Sequence, residues 1–373
     1  MSAPQMSAVI VAWNAGPTLA SCVASLRESG RRTNGSLQVV VVDNASHDRA
    51  VDELTLEPRD LVVRNPLNAG YGVAAAQGIA RADAPWILLV NPDVVVESEF
   101  IGALVAAAEN AAPTVATLVP ELRFASRPDV VNCRGLTVDE IGVPAEVDAG
   151  TPVSVGAVPS VPVLGGSSGC CLLRSEHVRS VGGPEPVFFA YLEDVDLAFR
   201  LRCAGYDALF VPNAIAFHEG SATTGARSPL KTLLVARNRR VLFRLNGPRS
   251  PRARAWRTIV EAAHAAYSSR GTPAAPWAGR FDALLLRRYT TFLRRSREGH
   301  DSVVASPLLA PRASLRETLR RKRTVTHVVQ AEESSAEPTP PIERRVGRVA
   351  FPEPRANLQI DKRGGSADTE LTR

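Results

Sequence analysis

The residues able to do chemistry cluster where apolar runs give way to short polar stretches. Asn14 follows "SAVIVAW" (7–13), and Asp43 and Asn44 close "LQVVVVDN". Asn65, Asn68 and Gly70 follow "LVVR", and Asn91-Pro92-Asp93 cuts "WILLVNPDVVV". Proline cannot donate to a sheet ladder, so the run should end there and leave Asp93 just beyond a strand's C-terminal edge. Further along stand an acidic triplet, Glu193-Asp194-x-Asp196, a small-residue run, "VLGGSSGCC" (163–171), and the lone His218. Carboxylates supply metal ligands and general bases, while amides and glycine backbone suit phosphates and sugars. Asn, Asp and Gly also end strands and cap helices for purely local reasons. That local reading weakens when several strands deliver such residues to one edge.

The elements that would deliver them alternate. Fully apolar, β-branched runs at 7–13, 37–43, 61–65 and 86–91 predict strands, and 17–29 and 71–82 predict helices. Strands apolar on both faces, separated by helices, imply a mostly parallel sheet covered on both sides. Ligands of such sheets bind outside the strands' carboxyl ends, where Asp43 could accept from a nucleotide base and backbone amides could meet phosphates. Residues 97–119 predict another helix and strand, 169–183 a strand and short helix, 191–207 a helix, and 208–220 two short strands.

The net charge of +6 hides an asymmetry. Residues 1–225 carry 14 basic and 25 acidic side chains, whereas 226–297 carry 17 basic against Glu261 and Asp282. Five scattered cysteines without CxxC spacing argue for a reducing compartment and against a zinc site. No run approaches the length of a membrane span, and the first residues lack a signal peptide's basic start, which predicts a cytoplasmic protein.

"VIVAWN", "VVVVDNASHD", "NPLNAGYGVAAAQGI", "WILLVNPDV", "GGSSGCCLLR", "FFAYLEDVDLAFRLRCAGY" and "HEGSATTG" occur in the order seen in family 2 glycosyltransferases. Over roughly residues 6–240 the chain resembles that family's rhamnosyltransferase-like branch. The resemblance implies a glycosyltransferase A-type α/β fold, an inverting mechanism and a divalent metal, Mg²⁺ or Mn²⁺. It implies donor contacts at Asn14, Asp43, Asn44, Asn68, Gly70, Asn91 and Asp93, with Asp93 and His218 at the metal. Arg237 could reach donor phosphates or belong to an ordinary basic helix face. Gly166, Ser167, Ser168 and Glu193 would line the acceptor, although a surface turn explains the small residues equally well. Asp194 would be the general base. Asp196 has Arg200 one helical turn on to close a local pair, and Asp194 has no such cation. The family's Asp-x-Asp appears here as Asn91-x-Asp93, which Mg²⁺ tolerates because phosphate and water can complete its shell.

These readings give a nucleotide-sugar-binding catalytic domain at 1–227, a basic helical extension at 228–299 and a disordered tail at 300–373. Segment 280–295, "RFDALLLRRYTTFLRR", would lie on an anionic membrane surface at the inner face of the cell membrane. Nucleic acid is a poorer partner, since the aromatics do not interleave with the charges. The expected activity is transfer of a sugar, rhamnose from dTDP-rhamnose being one candidate, to a cell-envelope or polyprenyl-linked glycan acceptor. Two other readings compete. A nucleotidyltransferase would want a basic residue in the loop after the first strand, which "WNAGPTL" lacks. A catalytically inactive scaffold binding nucleotide-sugar or membrane has only Asn91 in its favour.

Overall fold

A computed structural model describes residues 5–33, 37–139, 143–154, 159–219, 229–246, 251–252, 255, 258–259 and 309–310. Its centre is a twisted mixed sheet. The first half is parallel: β1 (Met6–Ala12) lies between β2 (Leu37–Asp43) and β4 (Trp86–Val90), and β3 (Leu61–Arg64) extends it beyond β2. Every residue of β1 and β4 is buried, and successive side chains pack alternately on the two faces, as strands covered on both sides require. Ala8, Ile10, Val39, Val41 and Leu88 pack under α1 (Thr18–Arg32) and α3 (Phe100–Glu109). Val9, Val11, Val40, Val42 and Leu89 pack with Ala74, Ala75 and Ile79 of α2 (Tyr71–Arg81). Each such buried Val or Leu contributes about 1.5–3 kcal/mol, so both faces hold this half rigid. Gly78 is what lets α2 approach so closely: a Cβ there would meet Val9 Cγ1 at 2.3 Å.

Pro92 ends the β4 ladder as expected, but the run that follows does not continue that strand. β5 (Val94–Val96) turns away and pairs antiparallel with the far end of β12 (Asp207–His218), with Val94 opposite His218. The other half of the sheet is mixed. β11 (Cys170–Arg174) is antiparallel to both β4 and β6 (Val115–Phe124), while β12 is parallel to β6. Of the stretch 208–220, expected to form two short strands, residues 208–218 belong to one twelve-residue strand. Pro212 and Asn213 are absorbed in a register shift between Val211 and Ile215, opposite Pro120 of β6, where neither proline is asked for a ladder hydrogen bond.

Short strands decorate this frame: β7 (Val131–Cys133) pairs with β6, and β10 (Pro162–Val163) with β12. β8 (Leu136–Asp139), β9 (Pro144–Glu146) and β13 (Leu309–Ala310) form a separate small sheet. The region expected to be a disordered tail thus supplies a two-residue strand, and its other residues fall outside the described set. After β11, α4 (Ser175–Ser180) and α5 (Glu193–Cys203) follow. α6 (Pro229–Asn246) buries Val241, Leu242 and Leu245 in a cluster with Phe188, Val195 and Phe199. The remainder of the expected basic extension, including 280–295, lies outside the described residues. Among the described residues no helix is long and apolar enough to cross a membrane.

Candidate active site

Because β1 to β4 are parallel, Asn14, Asp43, Asn44, Asn65, Asn68, Gly70, Asn91 and Asp93 all fall at one edge of the sheet. Their roles within it differ. Asn14 adopts φ 50°, and its Oδ1 accepts from His47 N–H at 2.7 Å while its own N–H donates to Ser46 Oγ. Asp43 is buried; one carboxylate oxygen accepts from Ser46 N–H at 2.9 Å and the other from Arg64 Nη1 at 3.0 Å. Arg64 stands opposite Asp43 in the β2–β3 register, and the sequence reading did not single it out. Asn44 is buried and knits the edge together. Its Oδ1 accepts from Asn65 Nδ2 and Ala69 N–H, and its Nδ2 donates to Asn68 Oδ1. Asn44 and Asn68 therefore spend their amides on loop 65–70.

Gly70 needs to be glycine. Its φ is +89°, and a Cβ there would lie 2.6 Å from Phe189 Cδ2. The neighbouring Gly72 N–H donates to Phe189 O at 3.2 Å, which joins this loop to the segment before α5.

Asp93 and His218 are neighbours because Val94 and His218 are register partners. His218 Nε2 lies 3.3 Å from Asp93 Oδ1, and its Nδ1 lies 3.3 Å from Asn132 Oδ1. With Nδ1–H turned toward the Asn132 amide oxygen, Nε2 would offer its lone pair to a cation shared with Asp93. Two ligands of an octahedral cation at about 2.1 Å stand about 3 Å apart, so this pair fits a Mg²⁺- or Mn²⁺-type ion. Among the described residues no group of three or more His, Cys, Asp or Glu forms a complete metal cage. An ion here would take the rest of its shell from phosphate and water. Asn91 contributes through its backbone: its N–H donates to Gly169 O at 2.9 Å, and its carbonyl accepts from Val94 N–H.

The acidic triplet opens α5, and its three members diverge. Asp196 is wholly buried and structural, accepting from Arg200 Nε and from Asn246 Nδ2, each at 2.8 Å. Asp194 faces the small-residue turn: Oδ2 accepts from Ser168 N–H at 3.1 Å and Oδ1 from Val195 N–H at 2.8 Å. Burial raises its carboxyl above the usual range, and those two N–H groups oppose the shift. Glu193 is buried, and burial and the adjacent Asp194 push it up to about 8. Its Oε2 has no hydrogen-bond partner among the described residues. Both carboxyls of this adjacent pair are therefore raised, Glu193 to about 8.

The 165–169 turn touches both groups of acids. Ser168 N–H meets Asp194, Ser168 O accepts from Tyr71 Oη at 3.0 Å, and a Cβ on Gly169 would stand 3.5 Å from His218 Cε1. Ser168 is buried with its N–H on Asp194, and Ser167 Oγ accepts from Gly169 N–H, whereas Gly165 and Gly166 serve close packing. A Cβ on Gly165 would meet Ala198 Cβ at 2.4 Å, and one on Gly166 would meet Cys171 Cβ at 2.3 Å.

Arg237 is not at the donor edge. It is wholly buried, with Nη2 donating to Val187 O at 2.7 Å and Nη1 to Phe188 O at 3.2 Å. Asn132 and Tyr71 join Arg64 as site neighbours that the sequence did not announce. Asn132 sits in an unremarkable apolar stretch, while Arg64 could have been found from its parallel register with Asp43.

The comparisons agree with this layout. Residues 7–134 match the family model described as glycosyl transferase family 2. The chain is 29% identical over 254 residues to N-acetylglucosaminyl-diphospho-decaprenol L-rhamnosyltransferase of Mycobacterium tuberculosis, in strains CDC 1551 / Oshkosh and ATCC 25618 / H37Rv. That match covers 60% of this chain and 79% of the relative. Among solved structures, GalNAc-T7 with UDP, GalNAc and Mn²⁺ superimposes with a TM-score of 0.50 at 16% identity. The superposition covers 65% of this chain and spans about half, 48%, of that one, and it supports the fold alone. Sheet and superposition show the glycosyltransferase A-type fold, and residues 7–134 carry a family 2 glycosyl transferase domain in a chain similar to the mycobacterial rhamnosyltransferase.

Proposed function

We propose that this chain is an inverting glycosyltransferase that moves a sugar from a nucleoside diphosphate to a hydroxyl of a prenyl-diphosphate-linked glycan. L-Rhamnose is the favoured donor sugar and an N-acetylglucosaminyl-diphospho-prenol the favoured acceptor, by likeness to the mycobacterial relative. The observation that carries the reading is the 167–169 turn, whose Ser168 N–H donates to Asp194 and whose Gly169 leaves only the room of one methyl group before His218, the neighbour of Asp93.

The base would lie in the Asp43–Arg64 corner, where a carboxylate oxygen accepts from a ring N–H. The diphosphate would extend across the β4 edge. Asp93 and His218 would hold a divalent cation, which supplies charge neutralisation for the departing diphosphate when bound. Asp194 accepts the proton of the attacking acceptor hydroxyl as that oxygen approaches the anomeric carbon from the face opposite the diphosphate. Burial makes it a stronger base than an exposed carboxylate, and the N–H groups of Ser168 and Val195 fix its direction. Glu193, protonated and with an oxygen to spare, donates to an acceptor oxygen and orients that hydroxyl.

A prenyl-linked acceptor would bring the reaction to a membrane surface, with 280–295 as the proposed contact. Loss of flotation with anionic liposomes on deleting that segment supports the contact, and unchanged flotation refutes it. Release of nucleoside diphosphate from dTDP-rhamnose, dependent on a synthetic short-chain N-acetylglucosaminyl-diphospho-prenol, tests the function. A donor panel that gives no acceptor-dependent release with any sugar would refute it.

A further inference from the structure

The segment leading into α5 is unusual in its backbone. Phe189, Tyr191 and Leu192 take φ of 63°, 71° and 67°, three left-handed positions in four residues and none of them glycine. Such conformations persist only where surrounding contacts over-determine them. Side-chain contacts to the turn's carbonyls come from the middle of α6. Arg237 donates to the carbonyls of Val187 and Phe188 and, at 2.6 Å, to Asn238 Oδ1. Asn238 Nδ2 lies 2.8, 2.7 and 2.7 Å from the carbonyls of Phe188, Ala190 and Tyr191. Both side chains are wholly buried, and Lys231, two turns earlier, places its ammonium over the Tyr191 ring. Nearer the end of the helix, Asn246 holds Asp196.

The pinned turn has two outputs. Its last residue, Leu192, is the N-cap of α5, so the direction of that cap sets where Glu193 and Asp194 point. Phe189 lies against Gly70 and accepts from Gly72 N–H, so the same turn braces the loop at the donor edge. We propose that Arg237 and Asn238 are positioning residues. They hold the 188–192 turn in its strained form so that Asp194 reaches Ser168 and the proposed acceptor while the donor loop stays in place. The proposal rests on Asp194 being the base, as argued above, and it assigns α6 to the catalytic unit.

The test uses the full chain and the variants Asn238→Ala and Tyr191→Gly. The glycine accepts φ 71° without strain and leaves the α6 contacts to the turn's carbonyls in place, so it tests strain without removing the clamp. With dTDP-rhamnose and the synthetic prenyl-linked acceptor, Asn238→Ala should lose kcat on the order of 100-fold per folded molecule, the usual consequence of an ångström-scale misplacement, whereas Tyr191→Gly, with the clamp intact, should keep it. Affinity for dTDP should fall in Asn238→Ala as well, because the same turn braces the donor loop, and hold in Tyr191→Gly. Hydrogen exchange gives a second readout that needs no turnover: the peptide containing Ser168 should lose protection in Asn238→Ala and keep it in Tyr191→Gly. Unchanged kcat with unchanged exchange at 163–174 in Asn238→Ala, beside a lowered Tm alone, would overturn the proposal and leave a purely structural clamp. A wild-type chain inactive with every donor would refute the function reading instead, and the exchange data would then decide the positioning contact by themselves. If Asn238→Ala fails to fold, Asn238→Asp, which keeps the size and the contact with Arg237 but loses the N–H donors to the turn's carbonyls, decides the question by the same readouts.

Discussion

His218 Nε2 and Asp93 Oδ1 stand 3.3 Å apart although they come from strands 125 residues apart in sequence, because Val94 and His218 are paired across β5 and β12. Asn132, behind the imidazole, fixes which nitrogen faces the carboxylate. Asn132→Leu should therefore weaken Mn²⁺ binding in the presence of dTDP by about 10–100-fold, the usual cost of losing a partner behind a metal-bound histidine. Titration followed by the electron paramagnetic resonance of free Mn²⁺ checks this. An unaltered affinity would mean the pair is a plain ion pair.

Asp194→Asn keeps the size of the side chain and removes the base. Transfer should fall by about 10²–10⁴, with dTDP affinity retained. Calorimetric binding of dTDP alongside the turnover assay separates the two effects, and a variant that loses both would place Asp194 in the structure and not in the chemistry.

Glu193 makes stability depend on pH. Its folded pKa, about 8, lies above the ordinary carboxylate value, so between the two the unfolded chain has released a proton that the folded chain retains. Stability should then fall as pH rises through that window. Glu193→Gln removes this slope: the variant's Tm relative to wild type should climb by a few degrees from about pH 5 to about pH 9. Parallel curves would show that Glu193 titrates normally.

Gly165→Ala introduces a methyl group against Ala198 of α5, where the contact would be 2.4 Å. The expected cost is about 1–3 kcal/mol of stability, read by urea unfolding. Pushing α5 outward should also lower kcat, because Asp194 travels with the helix. Full stability with full activity would show that the turn yields easily.

The parallel half of the sheet was legible because strands buried on both faces leave unbroken β-branched runs, and Pro92 announced its stop. What pairs with what was not. "VVV" after Pro92 looks the same whether it extends β4 or crosses to β12, and Pro212-Asn213 reads as a break when it is a bulge inside one strand. Among the candidate site residues, Asp43, Asp93 and His218 stand at or just beyond strand ends and Asp194 in the first turn of a helix, placements that the apolar runs and helix start made legible. Arg237 misled for a physical reason. A guanidinium in a basic helix looks like a phosphate ligand, whereas its partners are backbone carbonyls exposed by a turn whose left-handed residues no composition or periodicity reveals. Gly166 misled likewise, because a glycine that admits a neighbour's Cβ and one that admits a sugar are the same letter.

The position of β6 in the sheet bears on how this chain may be dissected. β6 is the last long strand of the stretch matched by the family model, yet both of its long neighbours, β11 and β12, are made from chain beyond residue 134. A recombinant piece trimmed to 7–134 would expose a ten-residue, largely apolar strand with both flanks bare save for β7, an invitation to intermolecular pairing. Expression of that piece should give aggregates, and the smallest soluble unit should extend past His218.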